Sequence, residues 1–462
     1  MIRLFKHYIS TAVAALAAVE FLLLLISAEL GRVLRAWPMG TTAEPIIYHV
    51  PQTLSFAVVG YLAMAGVGMY QVEALTSGRV ATGRLIVATS LSILFVAVLS
   101  FIYPELKLWR STLLASMAVA FALILGLRVA LRGRLLGSPV FRRRVLVLGA
   151  GPRAARLAEI ATQPSANFTI VAYIAMNDSD IHVPEAVDRS AIDALVDRVR
   201  VEGITQVVLA LEERRNALPL AELVRVKTLG VEVSDLSSFL ERETGRVDLE
   251  SVSPSWLIFS DGFSAGRRIS SIAKRMFDLL VSLLLLLISA PLVILGALAV
   301  KLESPGPAFF RQQRVGRFGE LFDVVKLRSM RQDAEAAGQK WAEKDDPRIT
   351  RVGRFIRQVR IDELPQVWSV LKGDMSFVGP RPEIPKFVAD LETRINYYAE
   401  RHMVKPGITG WAQINYPYGA SVEDARHKLE YDLYYVKNYS PFLDLLIILQ
   451  TMRVLLWPEG VR

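Results

Sequence analysis

The chain has 462 residues, of which 52% are hydrophobic and 21% are charged, and its formal net charge is +9. This length predicts two or three domains, and the mean hydropathy of +0.34 excludes a disordered chain and argues against a purely soluble protein. The chain has no cysteine, which excludes disulfides, thiolate catalysis and cysteine-ligated metal sites, and its five histidines show no metal-binding spacing. The positive charge favours anionic lipid, phosphorylated molecules or nucleic acid as partners.

Four apolar stretches predict a transmembrane bundle over residues 1–135. They run over residues 9–30, 48–70, 85–103 and 111–131, and each approaches the roughly 20 residues that span a bilayer core. Basic residues before the first stretch and around the end of the fourth predict four spans with both ends of the bundle in the cytoplasm. Glu20 lies inside the first stretch. We expect its carboxyl group to face the other helices, and a proton or ion path is the alternative.

Residues 142–250 alternate between strand and helix patterns, which predicts a Rossmann-like α/β domain with a parallel sheet. The predicted strands cover residues 145–151, 168–175, 205–211 and 231–236. The first strand ends in Gly149-x-Gly151-x-x-Ala154, which is close to a dinucleotide-binding turn, and Asp178 after the second strand is a candidate ribose-binding acid. Alanine replaces the third glycine of the usual motif. Two interpretations of Gly149 and Gly151 therefore stay open: binding of a nucleotide phosphate, or close packing of the strand on the following helix.

A linker over residues 251–270 leads to a C-terminal domain, residues 271–462, that we predict to be mainly α-helical. Residues 279–300 are almost wholly apolar, with Pro291 in the middle. This segment either crosses the membrane as a fifth span or enters one leaflet and returns. Basic residues on both flanks favour return to the same side, and proline permits a sharp bend, so we predict a re-entrant helix over residues 276–302. Residues 442–457 predict an interfacial helix, with a packed core helix as the alternative.

The charged motifs of the C-terminal domain follow this apolar segment. Five arginines recur at every third position: Arg348, Arg351, Arg354, Arg357 and Arg360. They form either a basic surface on anionic headgroups or, in part, a phosphate clamp. The pair Asp362-Glu363 comes directly after them, and rigid loops over residues 379–383 and 405–413 follow. Adjacent carboxylates point in different directions on a helix, so one can act on a substrate while the other holds a metal.

Residues 271–462 resemble the bacterial sugar transferases, the monotopic polyprenyl-phosphate phosphoglycosyltransferases. The matching stretches are KRMFD (274–278), SPGPAFFRQQRVGRFGE (304–320), KLRSM (326–330), DPRITRVGRFIR (346–357), DELPQVWSVLKGDMSFVGPRPE (362–383) and KPGITGWAQIN (405–415). The rest of the chain resembles, more weakly, the large members that initiate exopolysaccharide or O-antigen repeat units, which are similar to undecaprenyl-phosphate glucose and galactose phosphotransferases. Two positions depart from the family pattern. Ala290 precedes Pro291 where smaller members have serine, and Ser369 stands where many relatives have asparagine.

The resemblance implies transfer of a sugar-1-phosphate from a UDP-sugar to undecaprenyl (polyprenyl) phosphate, with release of UMP and a requirement for Mg²⁺. It implies that Asp362 is the nucleophile, through an aspartyl-phosphosugar intermediate, that Glu363 is its partner, and that this pair holds the metal. It also implies that Arg381 binds phosphate. From their charge and position we expect further phosphate contacts from Lys326, Arg328, Arg354 and Arg357. The residues that match the family's membrane-insertion motif and helix break are Lys274, Arg275, Asp278 and Pro291.

The resemblance further implies a multi-pass protein of the bacterial inner (cytoplasmic) membrane with its catalytic domain facing the cytoplasm. The expected partners are a UDP-sugar, undecaprenyl phosphate and membrane lipid, with no nucleic acid, and family analogy allows a homodimer. A competing hypothesis is a catalytically inactive, nucleotide-sensing membrane scaffold, against which the intact Asp362, Glu363 and Arg381 argue. An NAD-dependent oxidoreductase would rest on the glycine turn at Gly149 alone and lacks a catalytic set.

Overall fold

The computed structural model describes residues 2–4, 7–40, 46–131, 142–163, 166–176, 181–212, 218–252, 268–332, 347–416, 419 and 421–457. The chain divides into two units, Met1–Leu4 with Tyr8–Thr244, and Phe5–His7 with Gly245–Arg462. Two short strands, β1 (Ile2–Leu4) and β2 (His7–Ile9), precede the membrane helices.

The first unit begins with the apolar helices. They are α1 (Thr11–Ala36), α2 (Val50–Gly66), the short α3 (Val72–Thr76), α4 (Gly78–Ile102) and α5 (Arg110–Ala130). Helices α1, α4 and α5 are long and apolar enough to cross a membrane, whereas α2 is a shorter apolar helix of 17 residues. Gly31 of α1 lies directly against Ser116 of α5, and a Cβ at Gly31 would stand 2.6 Å from the Ser116 nitrogen. Small residues at this contact let the two helices approach closely.

Glu20 of α1 faces the other helices of the bundle and forms a buried ion pair. Its Oε1 accepts a hydrogen bond from Nε of Arg128 at 2.6 Å, and its Oε2 accepts one from Nη2 of the same guanidinium at 3.1 Å. Arg128 also donates to the carbonyl oxygen of Met69 at 3.0 Å. Because each buried charge has a charged partner, the two groups are compatible with an apolar bundle. The prediction that Glu20 faces the other helices is confirmed.

An α/β domain completes the first unit. Its elements are β3 (Arg143–Leu148), α6 (Pro152–Ala161), β4 (Phe168–Ile174), α7 (Leu195–Val201), β5 (Gln206–Leu209), α8 (Leu220–Thr228), β6 (Glu232–Asp235) and α9 (Leu236–Thr244). The four strands form one sheet in the order β4-β3-β5-β6, and every neighbouring pair is parallel. The predicted parallel sheet is confirmed, although each strand ends earlier than its apolar run suggested.

The second unit is mainly helical and contains two small sheets. Its long helix α10 (Arg268–Glu303) precedes an antiparallel hairpin of β7 (Phe309–Val315) and β8 (Leu321–Leu327). The remaining elements are α11 (Arg351–Gln358), α12 (Val367–Lys372), β9 (Ser376–Val378), α13 (Pro385–Arg394), β10 (Gly407–Thr409), α14 (Trp411–Asn415), α15 (Val422–Asn438) and α16 (Pro441–Leu456). Strands β9 and β10 pair in parallel, which brings two distant loops together.

Helix α10 is apolar enough to cross a membrane, and both of its halves contact the C-terminal domain. In the first half, Oδ1 of the buried Asp278 accepts hydrogen bonds from the Ser376 hydroxyl at 2.9 Å and the Phe377 N–H at 3.0 Å. In the second half, Val300 is buried against the hairpin and α11, and Glu303 accepts a hydrogen bond from the Val352 N–H at 3.1 Å. Pro291 lies inside one continuous helical run, and most leucines near it are exposed.

The C-terminal helix α16 is a core helix, so the prediction of an interfacial helix over residues 442–457 is wrong. Leu443 and Ile447 are fully buried in the main core of this unit together with Tyr434 and Tyr435 of α15. Asp444 is also buried, and its carboxylate binds Lys274 of α10. The hydrophobic side of α16 therefore packs on protein.

Candidate active site

Asp362 and Glu363 lie at the start of a 3-10 helix, Ile361–Gln366, that continues into α12. Arg360 separates this segment from α11 and adopts a left-handed conformation with φ of +60°. A non-glycine residue in this conformation costs about 1 kcal/mol, and such strain is common at functional sites. The left-handed turn ends α11 and places both acidic residues in the first turn of the next helical segment.

Asp362 is a buried carboxylic acid whose Oδ1 has no hydrogen-bond partner among the described residues. Burial, and then the negative charge of Glu363, raises the pKa of Asp362, while Lys326, Arg357 and Arg360 act to lower it. An unpartnered buried oxygen costs free energy unless a ligand pairs with it. Within the described part of the chain, Oδ1 therefore lacks a partner that a substrate or a metal ion could supply.

Glu363 has the opposite surroundings. Its Oε1 accepts hydrogen bonds from Nζ of Lys326 at 2.8 Å and from Nη2 of Arg381 at 2.9 Å. Although burial acts to raise the pKa of Glu363, the charges of Arg381 and Lys326 hold it well below its usual value. Burial also lowers the pKa of Lys326, against the effect of Glu363. Two adjacent carboxyl groups with pKa values shifted in opposite directions can take different chemical roles.

Arg381 is held by two loops that are distant in sequence. Its Nη1 donates to Oε1 of Gln413 at 3.3 Å, and its carbonyl oxygen accepts a hydrogen bond from the buried Arg401 at 3.0 Å. Gly379, just before it, packs directly on the carbonyl oxygen of Lys405, so any side chain at that position would clash. The two rigid loops predicted from the sequence thus contact each other and fix Arg381 beside Glu363.

The other predicted phosphate-binding cations divide into two groups. Lys326 and the half-buried Arg357 are close to the carboxylate pair, and Nη1 of Arg357 is buried without a hydrogen-bond partner in the part of the chain that is described. Arg354 is exposed on α11. Arg328 is buried, and its guanidinium donates to the carbonyl oxygens of Ser304 and Pro305 at 2.8 Å and 2.7 Å. The position of Arg328 favours a structural role in holding the turn after α10.

The basic residues at the start of α10 attach that helix to the domain. Lys274 Nζ donates to Asp444 at 2.7 Å and to the Tyr435 hydroxyl at 3.1 Å. Arg275 donates to the carbonyl oxygens of Val370 and Leu371, at the C-terminal end of α12, at 2.6 Å and 2.7 Å. These contacts orient the helix relative to the segment that carries Asp362 and Glu363.

A cavity of about 500 Å³ extends from this cluster. Glu363, Arg381 and Gln413 line it together with Leu285 of α10. Its lining also includes Glu383, which ends the predicted loop over residues 379–383, and residues that the sequence motifs did not single out: Arg401, Tyr416, Ala425, Lys428 and Asp432. Three of these, at positions 425, 428 and 432, have the spacing of one helix face, which is the signal that could have identified them.

Asp362 and Glu363 are the residues of the site that could hold a magnesium ion together with the phosphates of a substrate. No cluster of three or more histidine or acidic side chains suited to a metal occurs among the described residues. Oδ1 of Asp362 is unpartnered there, whereas Oε1 of Glu363 already binds two cations. Mg²⁺ is usually held by one or two carboxylates plus substrate phosphates and water, and a two-carboxylate site meets that requirement.

The glycine turn of the α/β domain has a packing role. Gly149 has φ of +125°, and a Cβ there would clash with the carbonyl oxygen of Ala210. Gly151 precedes α6, and the carbonyl oxygen of Ala150 accepts hydrogen bonds from the N–H groups of His182 and Val183. These contacts favour the strand–helix packing interpretation for Gly149. Asp178, the candidate ribose-binding acid, lies outside the described residues.

Comparison with known proteins identifies the family. A family model described as bacterial sugar transferase matches residues 269–458. The UDP-glucose:undecaprenyl-phosphate glucose-1-phosphate transferase of Caulobacter vibrioides is 45% identical over 191 residues, which cover 40% of this chain and 71% of the relative. The chain belongs to the bacterial sugar transferase family. A second family model, described as a CoA-binding domain, matches residues 65–233, which include β3, β4, β5 and the start of β6.

Two further relatives of this chain align over longer stretches. The UDP-N-acetylgalactosamine-undecaprenyl-phosphate N-acetylgalactosaminephosphotransferase of Aeromonas hydrophila is 42% identical over 240 residues, or 52% of this chain. The undecaprenyl-phosphate glucose phosphotransferase of Komagataeibacter xylinus is 36% identical over 324 residues, or 67% of this chain. The aligned part spans 56% of the length of the first relative and 58% of the second.

Proposed function

We propose that this protein transfers a sugar-1-phosphate from a UDP-sugar to undecaprenyl phosphate and releases UMP, as the initiating step of polysaccharide repeat-unit synthesis. The observation that carries this proposal is the pair Asp362-Glu363, whose pKa values are shifted in opposite directions inside a cationic cluster. The names of the relatives, which specify UDP-linked glucose or N-acetylgalactosamine and undecaprenyl phosphate, support the same reaction.

In the first step, an oxygen of the Asp362 carboxylate attacks the sugar-linked phosphorus of the donor. A new O–P bond forms, the bond from phosphorus to the bridging oxygen breaks, and UMP leaves with that oxygen and the electron pair. The attack brings an anion toward a diphosphate, so cations must compensate the charge. Arg381, Lys326 and Arg357 are the side chains of this cluster suited to do so, and Glu363 orients the first two.

In the second step, an oxygen of the lipid phosphate attacks the same phosphorus, and the Asp362 carboxylate leaves. The product is a polyprenyl diphosphate sugar, and no proton has to move in either step. A covalent intermediate lets a soluble donor and a lipid acceptor use one site in turn. Magnesium, when bound, would neutralise part of the diphosphate charge, and Asp362 and Glu363 are the residues that would hold it.

We also propose that α10 is a re-entrant membrane helix. A straight helix from Lys274 to Glu303 would be about 44 Å long, whereas the hydrocarbon core of a bilayer is about 30 Å thick. The two ends of a straight spanning helix would lie on opposite sides of the membrane. Lys274 and Glu303, however, each contact the part of the C-terminal domain that follows α10. A helix that bends at Pro291 inside the membrane and returns is compatible with both sets of contacts.

The proposed setting is the bacterial inner membrane, with the C-terminal domain in the cytoplasm. The N-terminal bundle would contribute four spans, since α2, at 17 residues, is at the lower limit for crossing a bilayer core. Leu285 of α10 lines the same cavity as Glu363 and Arg381, which supports access of a lipid phosphate from the membrane side.

Release of UMP tests the proposed function. The purified protein in nanodiscs would be supplied with Mg²⁺, undecaprenyl phosphate and a panel of UDP-sugars. We expect UMP with at least one sugar, loss of that signal on chelation of the metal, and no UMP from an Asp362→Asn variant. A folded parent protein that releases no UMP from any donor would contradict the proposal and would favour the inactive-scaffold hypothesis.

A further inference from the structure

One face of α15 also lines the cavity, and we call that part of the lining the α15 end and the part that contains Glu363 and Arg381 the carboxylate end. Ala425, Lys428 and Asp432 follow each other at spacings of three and four residues, so they lie on the same face of the helix, and all three line the cavity. Tyr416, just before α15, lines the same region, and its hydroxyl donates to Asp424 at 3.0 Å. This end therefore has a fixed wall of small, charged and aromatic side chains.

The charges at the two ends of the cavity differ. At the α15 end, Arg401 and Asp432 form a buried ion pair with a 2.7 Å contact, and Lys428 and Glu383 add one charge of each sign. Burial lowers the pKa of Lys428, while Glu383 acts to raise it. At the carboxylate end, four cations surround two carboxylates: Lys326, Arg357, Arg360 and Arg381 surround Asp362 and Glu363. One end is balanced, and the other is positive.

We propose that the α15 end binds the hexose of the donor through its hydroxyl groups, while the positive end binds the diphosphate. The inference rests on the proposed function. A hydroxyl group both donates and accepts hydrogen bonds, so it matches a wall that offers an ammonium donor beside carboxylate acceptors. A charged ligand at the balanced end would leave a buried charge uncompensated, which is costly. The diphosphate requires the excess of cations that only the other end provides.

This assignment makes Lys428 and Ala425 determinants of donor selection. Lys428 Nζ donates to the carbonyl oxygen of Gly419 at 2.7 Å, which fixes the position of its ammonium group at the cavity wall. Ala425 carries only a methyl group, so the wall beside Lys428 leaves room for a ring substituent. A larger side chain at position 425 would narrow that space without a change of charge.

Binding of UDP and of UDP-sugars by the full-length protein tests this inference. All variants would be made in an Asp362→Asn background, in nanodiscs with Mg²⁺, so that the donor is not consumed. The probes are UDP, UDP-glucose and UDP-N-acetylgalactosamine. Lys428→Met removes the ammonium group, and Lys428→Arg retains the charge. Ala425→Leu narrows the cavity beside Lys428. Lys386→Met, at an exposed lysine of α13 outside the cavity lining, is the matched control.

We expect Lys428→Met to weaken binding of the preferred UDP-sugar by about tenfold, the effect of one lost charge-assisted hydrogen bond, and to change the affinity for UDP by less than about twofold. Ala425→Leu should discriminate most strongly against the N-acetylated sugar. Lys428→Arg should recover part of the loss, and Lys386→Met should bind like the background protein.

An equal loss of affinity for UDP and UDP-sugars would overturn the inference and assign the α15 end to the nucleoside instead. Unchanged affinities for all three probes in both the Lys428→Met and Ala425→Leu variants would overturn it as well. The proposed function is judged separately, by UMP release from the protein with Asp362 intact. If UMP forms but the variants do not discriminate the sugar, only the present inference fails.

Discussion

We use the name reactive cluster for Asp362, Glu363, Lys326, Arg357 and Arg381. Its two adjacent carboxyl groups, Asp362 and Glu363, have different surroundings although they are neighbours in sequence. Lys326 and Arg381 compensate the negative charge of Glu363 through short hydrogen bonds. Glu363 therefore stays ionised and fixes the positions of both cations. Asp362 is buried beside that negative charge and keeps an oxygen without a hydrogen-bond partner in the described structure. We therefore expect the positions of the cations, set by the hairpin and by the loop after β9, to decide which carboxylate attacks in the proposed reaction.

Replacement of Glu363 by glutamine should impair catalysis although the nucleophile is intact. The variant removes the anion that orients Lys326 and Arg381, and one cation then lacks its partner beside the reacting phosphate. We expect the rate of UMP release to fall by about 100-fold or more, the effect usually seen when preorganised charge stabilisation is lost. Glu320→Gln, at an exposed residue in the turn between β7 and β8, is the control. A loss of less than about threefold would contradict the orienting role.

The sequence motifs predicted which residues lie in this cluster, but not the contacts that each of them makes. Asp362, Glu363, Lys326, Arg357 and Arg381 are found together, and their catalytic roles stay predictions. Arg328 belongs to the motif over residues 326–330, yet its guanidinium binds main-chain oxygens. The sequence does not predict this contact, because a charge pattern does not show which backbone acceptors lie nearby. The motifs include Gln413 without assigning it a role and do not include Arg401, since the contacts of both residues depend on the pairing of β9 with β10, which joins segments far apart in sequence.

At the scale of elements, the apolar helix α10 packs on the segments that carry the reactive cluster. Its first half binds the C-terminal ends of α12 and β9 through Arg275 and Lys274, and its second half packs on the hairpin and on α11. The elements that it contacts are those that carry Asp362, Glu363 and Lys326. We therefore expect insertion of α10, in the proposed re-entrant arrangement, to affect the alignment of the cluster.

The two ends of α10 should be accessible from the same side of the membrane. Single cysteines at Ile272 and Leu302, which are 64% and 88% exposed, can be introduced into the naturally cysteine-free chain. We expect both to be labelled from the cytoplasm and protected from an impermeant maleimide added outside intact cells. Lys107→Cys, in the connection between α4 and α5, should be labelled from outside and serves as the control. Labelling of the two ends of α10 from opposite sides would show that the helix spans the bilayer.

The 3-10 helix over Ala399–Met403 should make stability depend on pH through His402. Burial, and then the charge of Arg401, lowers the pKa of His402 to about 4. The unfolded chain takes up this proton near pH 6.5 and the folded chain only near pH 4, so stability falls as pH decreases through this window, by at most about 3 kcal/mol. His402→Gln should have a smaller decrease in melting temperature between pH 7 and pH 5. An equal decrease in melting temperature between pH 7 and pH 5 in the parent and the variant would contradict the role of His402.

Periodicity predicted most elements but not what they pack against. The four strands of the α/β domain and the apolar helices follow their hydrophobic patterns, and only their ends are displaced. The C-terminal helix was assigned to the membrane interface because an apolar face looks the same whether protein or lipid covers it. The contact that decides between them joins Asp444 to Lys274, residues far apart in sequence, and local patterns do not contain it.

At the scale of the whole molecule, the membrane bundle and the reactive cluster lie in different units. All described residues of the cluster fall between residues 268 and 457, whereas the buried pair of Glu20 and Arg128 belongs to the first unit. We therefore expect the bundle to contribute to stability through its own contacts and the proposed chemistry to depend on the second unit.

Removal of the Glu20 charge should destabilise the protein without altering its chemistry. Glu20→Gln leaves Arg128 buried without its partner, and loss of one member of a buried pair typically costs about 3–5 kcal/mol. The double variant Glu20→Gln with Arg128→Met should be more stable than the single variant, because no unpaired charge remains. Melting temperature and UMP release per folded enzyme measure the two effects. A double variant no more stable than Glu20→Gln, or a loss of turnover in the folded fraction, would contradict this account.

The central claim is that Asp362 is the nucleophile, and trapping of the covalent intermediate tests it most directly. The protein would be mixed with Mg²⁺ and a UDP-sugar labelled at its sugar-linked phosphorus, without lipid acceptor, and then quenched and digested. We expect label on the peptide that contains Asp362, UMP in an amount that matches the enzyme, and release of the label when undecaprenyl phosphate is added before the quench. UMP formation that requires the lipid and leaves no label on the protein would contradict the account.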